Sequence, residues 1–109
     1  MSLATLKTAL DGTGLPFAHF AWEKDAKERK HDHGVWAEDD ERSLYANNGH
    51  AERIWQGMIH WFTRLDTGDG KTAIEKALDA ADIQYSFDSV AYEEDTGFLH
   101  YVWIFEVVK

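Results

Sequence analysis

The sequence predicts an α+β fold: a mostly antiparallel β-sheet of about five strands with two helices packed on one face, in the order α-β-β-β-α-β-β. Three observations carry this. Segments 52–64, 83–94 and 98–108 are long, rich in aromatic and β-branched residues, and alternate like strands. Two other segments space their apolar residues like helices. With 109 residues, 44% of them hydrophobic, the chain has material for one core and not two, so 1–109 reads as a single domain.

In the opening helix, Leu3, Leu6 and Leu10 recur at three and four residues, with Ser2 as N-cap and Gly12 or Gly14 as the stop. Pro16 then starts an extended segment in which Phe17, His19 and Ala21 oppose Ala18, Phe20 and Trp22. "EKDAKERKHDHG" breaks every apolar pattern and reads as a polar loop or hairpin arm. A brief strand at Val35 to Ala37 passes into an acidic stretch that ends in the turn signal Asn47-Asn48-Gly49.

"ERIWQGMIHWFTR" is the next long strand, with Trp55, Ile59 and Trp61 on one face and Ile54, Met58 and Phe62 on the other. "DTGDGKTAIEKALDAAD" is the clearest helix: Asp69 or Thr67 can cap it, and Ala73, Ile74, Ala77, Leu78 and Ala81 form one stripe. Strand "IQYSFDSVAYEE", turn "EDTG" and strand "FLHYVWIFEVV" complete a long hairpin. Its last strand sends Leu99, Tyr101, Trp103, Phe105 and Val107 one way and Phe98, Val102, Ile104 and Val108 the other, so it too is apolar on both sides.

Two short helices cover only one sheet face. An exposed apolar patch larger than roughly 400 Å² usually marks contact with another protein. The expected cover for the second face is therefore a neighbouring subunit, with Trp55, Ile59, Trp61, Tyr101, Trp103 and Phe105 as interface residues.

Charge narrows the partners. Eleven basic against twenty acidic side chains leave a formal charge of -9, which opposes binding to nucleic-acid phosphates or anionic lipid. The absence of cysteine removes disulfides, thiolate nucleophiles and cysteine-based zinc sites. No window reaches the roughly 18 apolar residues of a membrane span, and the N-terminus does not read as a signal peptide, so a soluble cytoplasmic product is expected.

Chemistry-bearing groups are sparse. His31 and His33 would point the same way on a strand and could ligate a divalent ion together with His19 or a carboxylate, but a third ligand at a known spacing is missing and a solvated loop is the better reading. His50, His60 and His100 fall on or beside strands, where histidine is commonly a hydrogen-bonded, half-buried residue. The runs "EDDE" (Glu38 to Glu41) and "EEDT" (Glu93 to Thr96) lack EF-hand spacing and sit where turns are expected. "TGDGK" lacks the full phosphate-loop spacing and reads as a helix start. Trp22, Trp36, Trp55, Trp61 and Trp103 could stack bases or sugars, yet the acidity argues against bases and core packing is the default for each. No serine elbow or triad is visible, so no catalytic residue, cofactor or metal is assigned.

Three stretches carry a resemblance. "TGLPFAHFAW", "SLYANNGHAERIWQGMIHWFTR" and "AIEKALDAADIQYSFDSVAYEEDTGFLHYVWIFEVV" are similar to the corresponding segments of small tail-completion or minor tail proteins of long-tailed phages and prophages, related in plan to tail terminators. The resemblance runs from about Thr13 to the end. The acidic "WAEDDERS" and histidine-bearing "KERKHDHG" depart from it, replacing a shorter link that often contains proline. It implies a non-enzymatic α+β virion subunit, made in the bacterial host's cytoplasm, that forms a ring with copies of itself at the head-to-tail junction or tube end. Its partners would be other tail or connector proteins, neither nucleic acid nor membrane, with loops 24–34 and 38–48 facing them. Two rivals come from other classes: an acidic inhibitor or DNA mimic, suggested by the charge, and a small enzyme or ligand-binding domain using the histidines and tryptophans.

Overall fold

The computed structural model of the chain describes residues 2–21, 31–45 and 51–109. Helix α1 (Leu3–Asp11) is capped by Ser2, whose side chain accepts the Thr5 N–H, and closes at Gly12. The strands are β1 (Phe17–His19), β2 (His33–Tyr45), β3 (Ala51–Thr63), β4 (Gln84–Glu93) and β5 (Phe98–Val108), with α2 (Asp69–Ala80) between β3 and β4. They form one sheet in the order β1-β2-β3-β5-β4, parallel at β1–β2 and antiparallel elsewhere. The predicted α+β class and element order hold. β3 and β4 run in the same direction with β5 inserted between them, so α2 is the crossover of a split β-α-β unit.

Local details differ from the sequence reading for physical reasons. The first strand stops at His19 because Phe20 has φ 70, a left-handed turn that no strand continues through. The second is far longer than Val35 to Ala37: the acidic run joins it, paired to β3 throughout, and a register shift between Glu38 and Asp40 leaves Asp39 as the extra residue of a bulge. Helix α2 is capped by Gly68 at φ 79 without a side-chain bond, in place of Thr67 or Asp69. Trp22, the polar loop at 22–30, the Asn47-Asn48-Gly49 turn and His50 lie outside the described residues.

Both helices pack on one face. Leu6 and Leu10 of α1 and Ile74 and Leu78 of α2 are buried against Trp36, Ile59, Trp61, Trp103 and Phe105 of the sheet. Trp103 is 0% exposed, yet its indole N–H donates to Glu75 Oε2 at 2.9 Å, so the large apolar ring is buried without orphaning its donor. At the centre of β3, Gly57 faces Phe105: a Cβ there would collide with the Phe105 ring and with the Ala37 carbonyl. The fully buried Phe105 ring thus occupies the volume that a side chain at 57 would claim.

Burial corrects one expectation. Ile59, Trp61, Tyr101, Trp103 and Phe105 are all buried on the helix-covered face, and Trp55 packs against that core. Those five do not form the uncovered surface, while Trp55 is only half-buried at the margin of the core. Odd-numbered residues of β3 and β5 share the face to which α1 and α2 dock, and the even-numbered residues make the other.

Candidate functional site

The face turned away from the helices carries a close group of polar and aromatic side chains. Register decides this: His33 of β2, Phe62 of β3 and His100 of β5 are Cα partners in one row across three strands. Their rings stack, His33 on Phe62 at 4.8 Å between centroids and Phe62 on His100 at 4.2 Å. Phe98 meets the stack edge-on, 84° to His33 and 70° to Phe62. The Arg64 guanidinium lies over Phe98, its Cζ 3.9 Å from the ring centroid.

On the same side of the stack, a Glu93 carboxylate oxygen sits at ion-pair distance from His100, which is hydrogen-bonded to His60. Glu93 Oε2 lies 3.2 Å from His100 Nδ1, and His100 Nε2 lies 2.8 Å from His60 Nδ1. One ring of this pair donates its N–H and the other accepts, the direction following the tautomer. Burial and then the neighbouring His100 hold the His60 pKa below the ordinary histidine value, against the opposing pull of Asp39. The other Glu93 oxygen accepts from Thr96 Oγ1 at 3.1 Å, and Gly97 at φ 79 closes the same turn. "EEDT" is thus a hairpin turn that aims one carboxylate at the histidines.

Asp32 ties this end together, accepting from Thr63 Oγ1 at 2.7 Å and from the Arg64 N–H at 3.1 Å. Beside the stack opens a cleft of about 370 Å³ walled by Phe20, His33, Phe62 and Phe98, with Glu93 and Thr96 on its polar side. At the far end of the face, Arg42 pairs with Glu106 across β3, and Met58 lies exposed between the two ends.

The histidines named from sequence are scattered by the fold. His33 Nδ1 bonds the His31 carbonyl at 2.7 Å, so this pair does not converge on an ion. His19 is on the opposite face, stacked on Trp36 and paired with Glu38. Among the described residues, no three His, Asp or Glu side chains are grouped to hold a metal ion. The group formed by His60, His100, Glu93, Phe62 and Phe98 escapes sequence reasoning. Its one legible signal is parity, since His60 and Phe62 share a face of β3 as Phe98 and His100 share one of β5. Chemically it can hold and pass a proton, and it offers aromatic faces beside an anion; among the described residues, no hydroxyl bonds either His60 or His100.

A second uncovered region lies on the outer strand. On the helix side of β4, Phe87, Val90 and Tyr92 are exposed, Tyr92 at 62%. Val90 and Tyr92 pair with Tyr101 and Leu99, beyond the helices' cover. No described strand pairs with the outer side of β4.

Comparison of the chain with protein-family models gives no match. Comparison with curated proteins gives none either.

Proposed function

We propose that the chain is a non-enzymatic phage or prophage virion protein, a tail-completion or terminator-like subunit that assembles in a ring with copies of itself at the head-to-tail junction or tail-tube end. The sequence resemblance suggests the setting. The observation that carries the reading is the exposed outer strand: β4 has no described strand on its outer side and exposes Phe87, Val90 and Tyr92. Unpaired edges bind further strands unless they are guarded. Here a register shift between Phe87 and Ser89 makes Asp88 the extra residue of a bulge, which limits indiscriminate pairing and leaves a shaped edge for one partner. For a ring, this edge must meet a different surface of the next copy in a head-to-tail contact that closes; the same edge meeting itself would give a two-fold dimer.

The acidic-mimic alternative draws less support. A mimic needs free carboxylates in a row, whereas Glu38 is engaged by His19, Glu41 by Arg53 and Lys109, and Glu106 by Arg42.

Light scattering on size-exclusion fractions tests the proposal, over a wide concentration range and with tail-tube and connector proteins of a long-tailed phage added. A discrete ring-sized oligomer, alone or with those proteins, is expected. A strict monomer under all these conditions overturns it.

A further inference from the structure

We propose that the cleft beside His33 is a receptor for a cationic side chain, an arginine or lysine presented by a partner protein. It is independent of the assembly reading, because it requires only a partner with an exposed basic residue. Four observations converge on this chemistry.

The walls include Phe20, Phe62 and Phe98; Phe62 is stacked between His33 and His100, which leaves the Phe20 ring as the accessible face at the mouth. Aromatic faces attract guanidinium and ammonium groups through the ring quadrupole. The molecule uses this attraction on a face of Phe98, which the Arg64 guanidinium occupies while donating to the Thr96 carbonyl, so a guest cation is placed between Phe20 and Glu93.

The polar side holds an anion. One Glu93 oxygen accepts from Thr96 Oγ1 and the other lies 3.2 Å from His100 Nδ1, and a carboxylate oxygen has room for a further donor. An anionic guest would meet both Glu93 and a chain of net charge -9.

The size suits a side chain. About 370 Å³ is near the lower end of the roughly 300–1,000 Å³ typical of ligand pockets.

The rim is strained. Phe20 has φ 70, an outlying conformation for an aromatic residue, and is 59% exposed at the mouth of the cleft. Backbone strain of this kind concentrates at binding sites, where surrounding structure holds it in place.

The test titrates the isotope-labelled chain with two peptides of one neutral sequence, carrying either arginine or its uncharged isostere citrulline at the centre, and with free arginine. Amide shifts should centre on His33, Phe62, Glu93 and Phe98, with the arginine peptide binding at least about tenfold more tightly than the citrulline peptide. Glu93→Gln and Phe20→Ala, each checked for an unchanged circular-dichroism spectrum, should weaken the arginine peptide about tenfold. Equal binding of arginine and citrulline peptides would overturn the cationic assignment, as would shifts centred elsewhere or none at all. Free arginine binding as tightly as the peptide would overturn the protein partner in favour of a small molecule.

Discussion

Two buried tryptophans of the covered face differ at a single atom's partner. The Trp103 N–H reaches Glu75, while the Trp61 N–H has no hydrogen-bond partner among the described residues. Trp103→Phe removes a bond to a charged acceptor as well as ring volume, and should cost about 2 kcal/mol from the bond alone. Trp61→Phe removes a donor that already lacked a partner and should cost distinctly less, so urea midpoints of the two variants provide the check. Burial pushes the Glu75 carboxyl up, but hydrogen bonds from Trp103 and Lys71 and the Lys71 charge outweigh it and leave its pKa below 4.5. The folded state therefore binds that proton less readily than the unfolded chain, and this contribution is lost as pH falls below 4.5. On the open face the shift at His60 is also downward, from 6.5. Protonation favours the unfolded chain, so stability should fall as pH drops below 6.5, and His60→Gln should flatten the dependence in urea unfolding at pH 7.5 and 5.5.

Elements hold their places through close approaches and end contacts. Gly57→Ala would drive a methyl group into the Phe105 ring and the Ala37 carbonyl where β2, β3 and β5 meet. Overpacking of this kind typically costs about 1–3 kcal/mol, and thermal unfolding should place Gly57→Ala at the upper end because backbone cannot step aside. Helix α2 is held to the sheet by Ile74 and Leu78, both fully buried, so Leu78→Ala should cost about 3 kcal/mol in the same experiment. Where α2 leads into β4, Tyr85 donates to Asp79 at 2.8 Å; burial, that bond and the Asp79 and Glu75 charges raise its pKa to about 12. The unfolded tyrosine ionises near 10, so stability should decline as pH rises from 10 towards 12, and Tyr85→Phe should lessen the decline.

On the molecular scale, two surfaces are left without a covering element among the described residues: the outer side of β4 and the part of the helix-free face around Met58. Tyr92→Lys places a charge on an exposed edge position and should change monomer stability by less than about 0.5 kcal/mol. The same substitution should reduce or abolish self-association in light scattering. An unchanged oligomer would remove β4 from the contact and leave the opposite face as the remaining apolar surface.

Local chemistry was enough to read much of this protein from its sequence. The leucine spacing of α1 with its Ser2 cap, the apolar stripe of α2, and the two-sided character of β3 and β5 follow from periodicities that a chain carries at any point along itself. The acidic run after Ala37 was not legible as strand, because its extended form depends on pairing with β3 and on a bulge that absorbs Asp39. The direction of the greasy faces was not legible either. Alternation shows that β3 and β5 each have two, but only the docking of α1 and α2 decides which is covered, and that choice put Ile59, Trp61 and Trp103 inside. The histidine and aromatic group on the open face depends in the same way on register, since β5 lies in the sheet between β3 and the outer strand β4, bringing His100 beside His60 across 40 positions of chain. Periodicity acts between near neighbours in sequence; which face is buried and which side chains meet are set by contacts between distant segments, and those exist only in the folded structure.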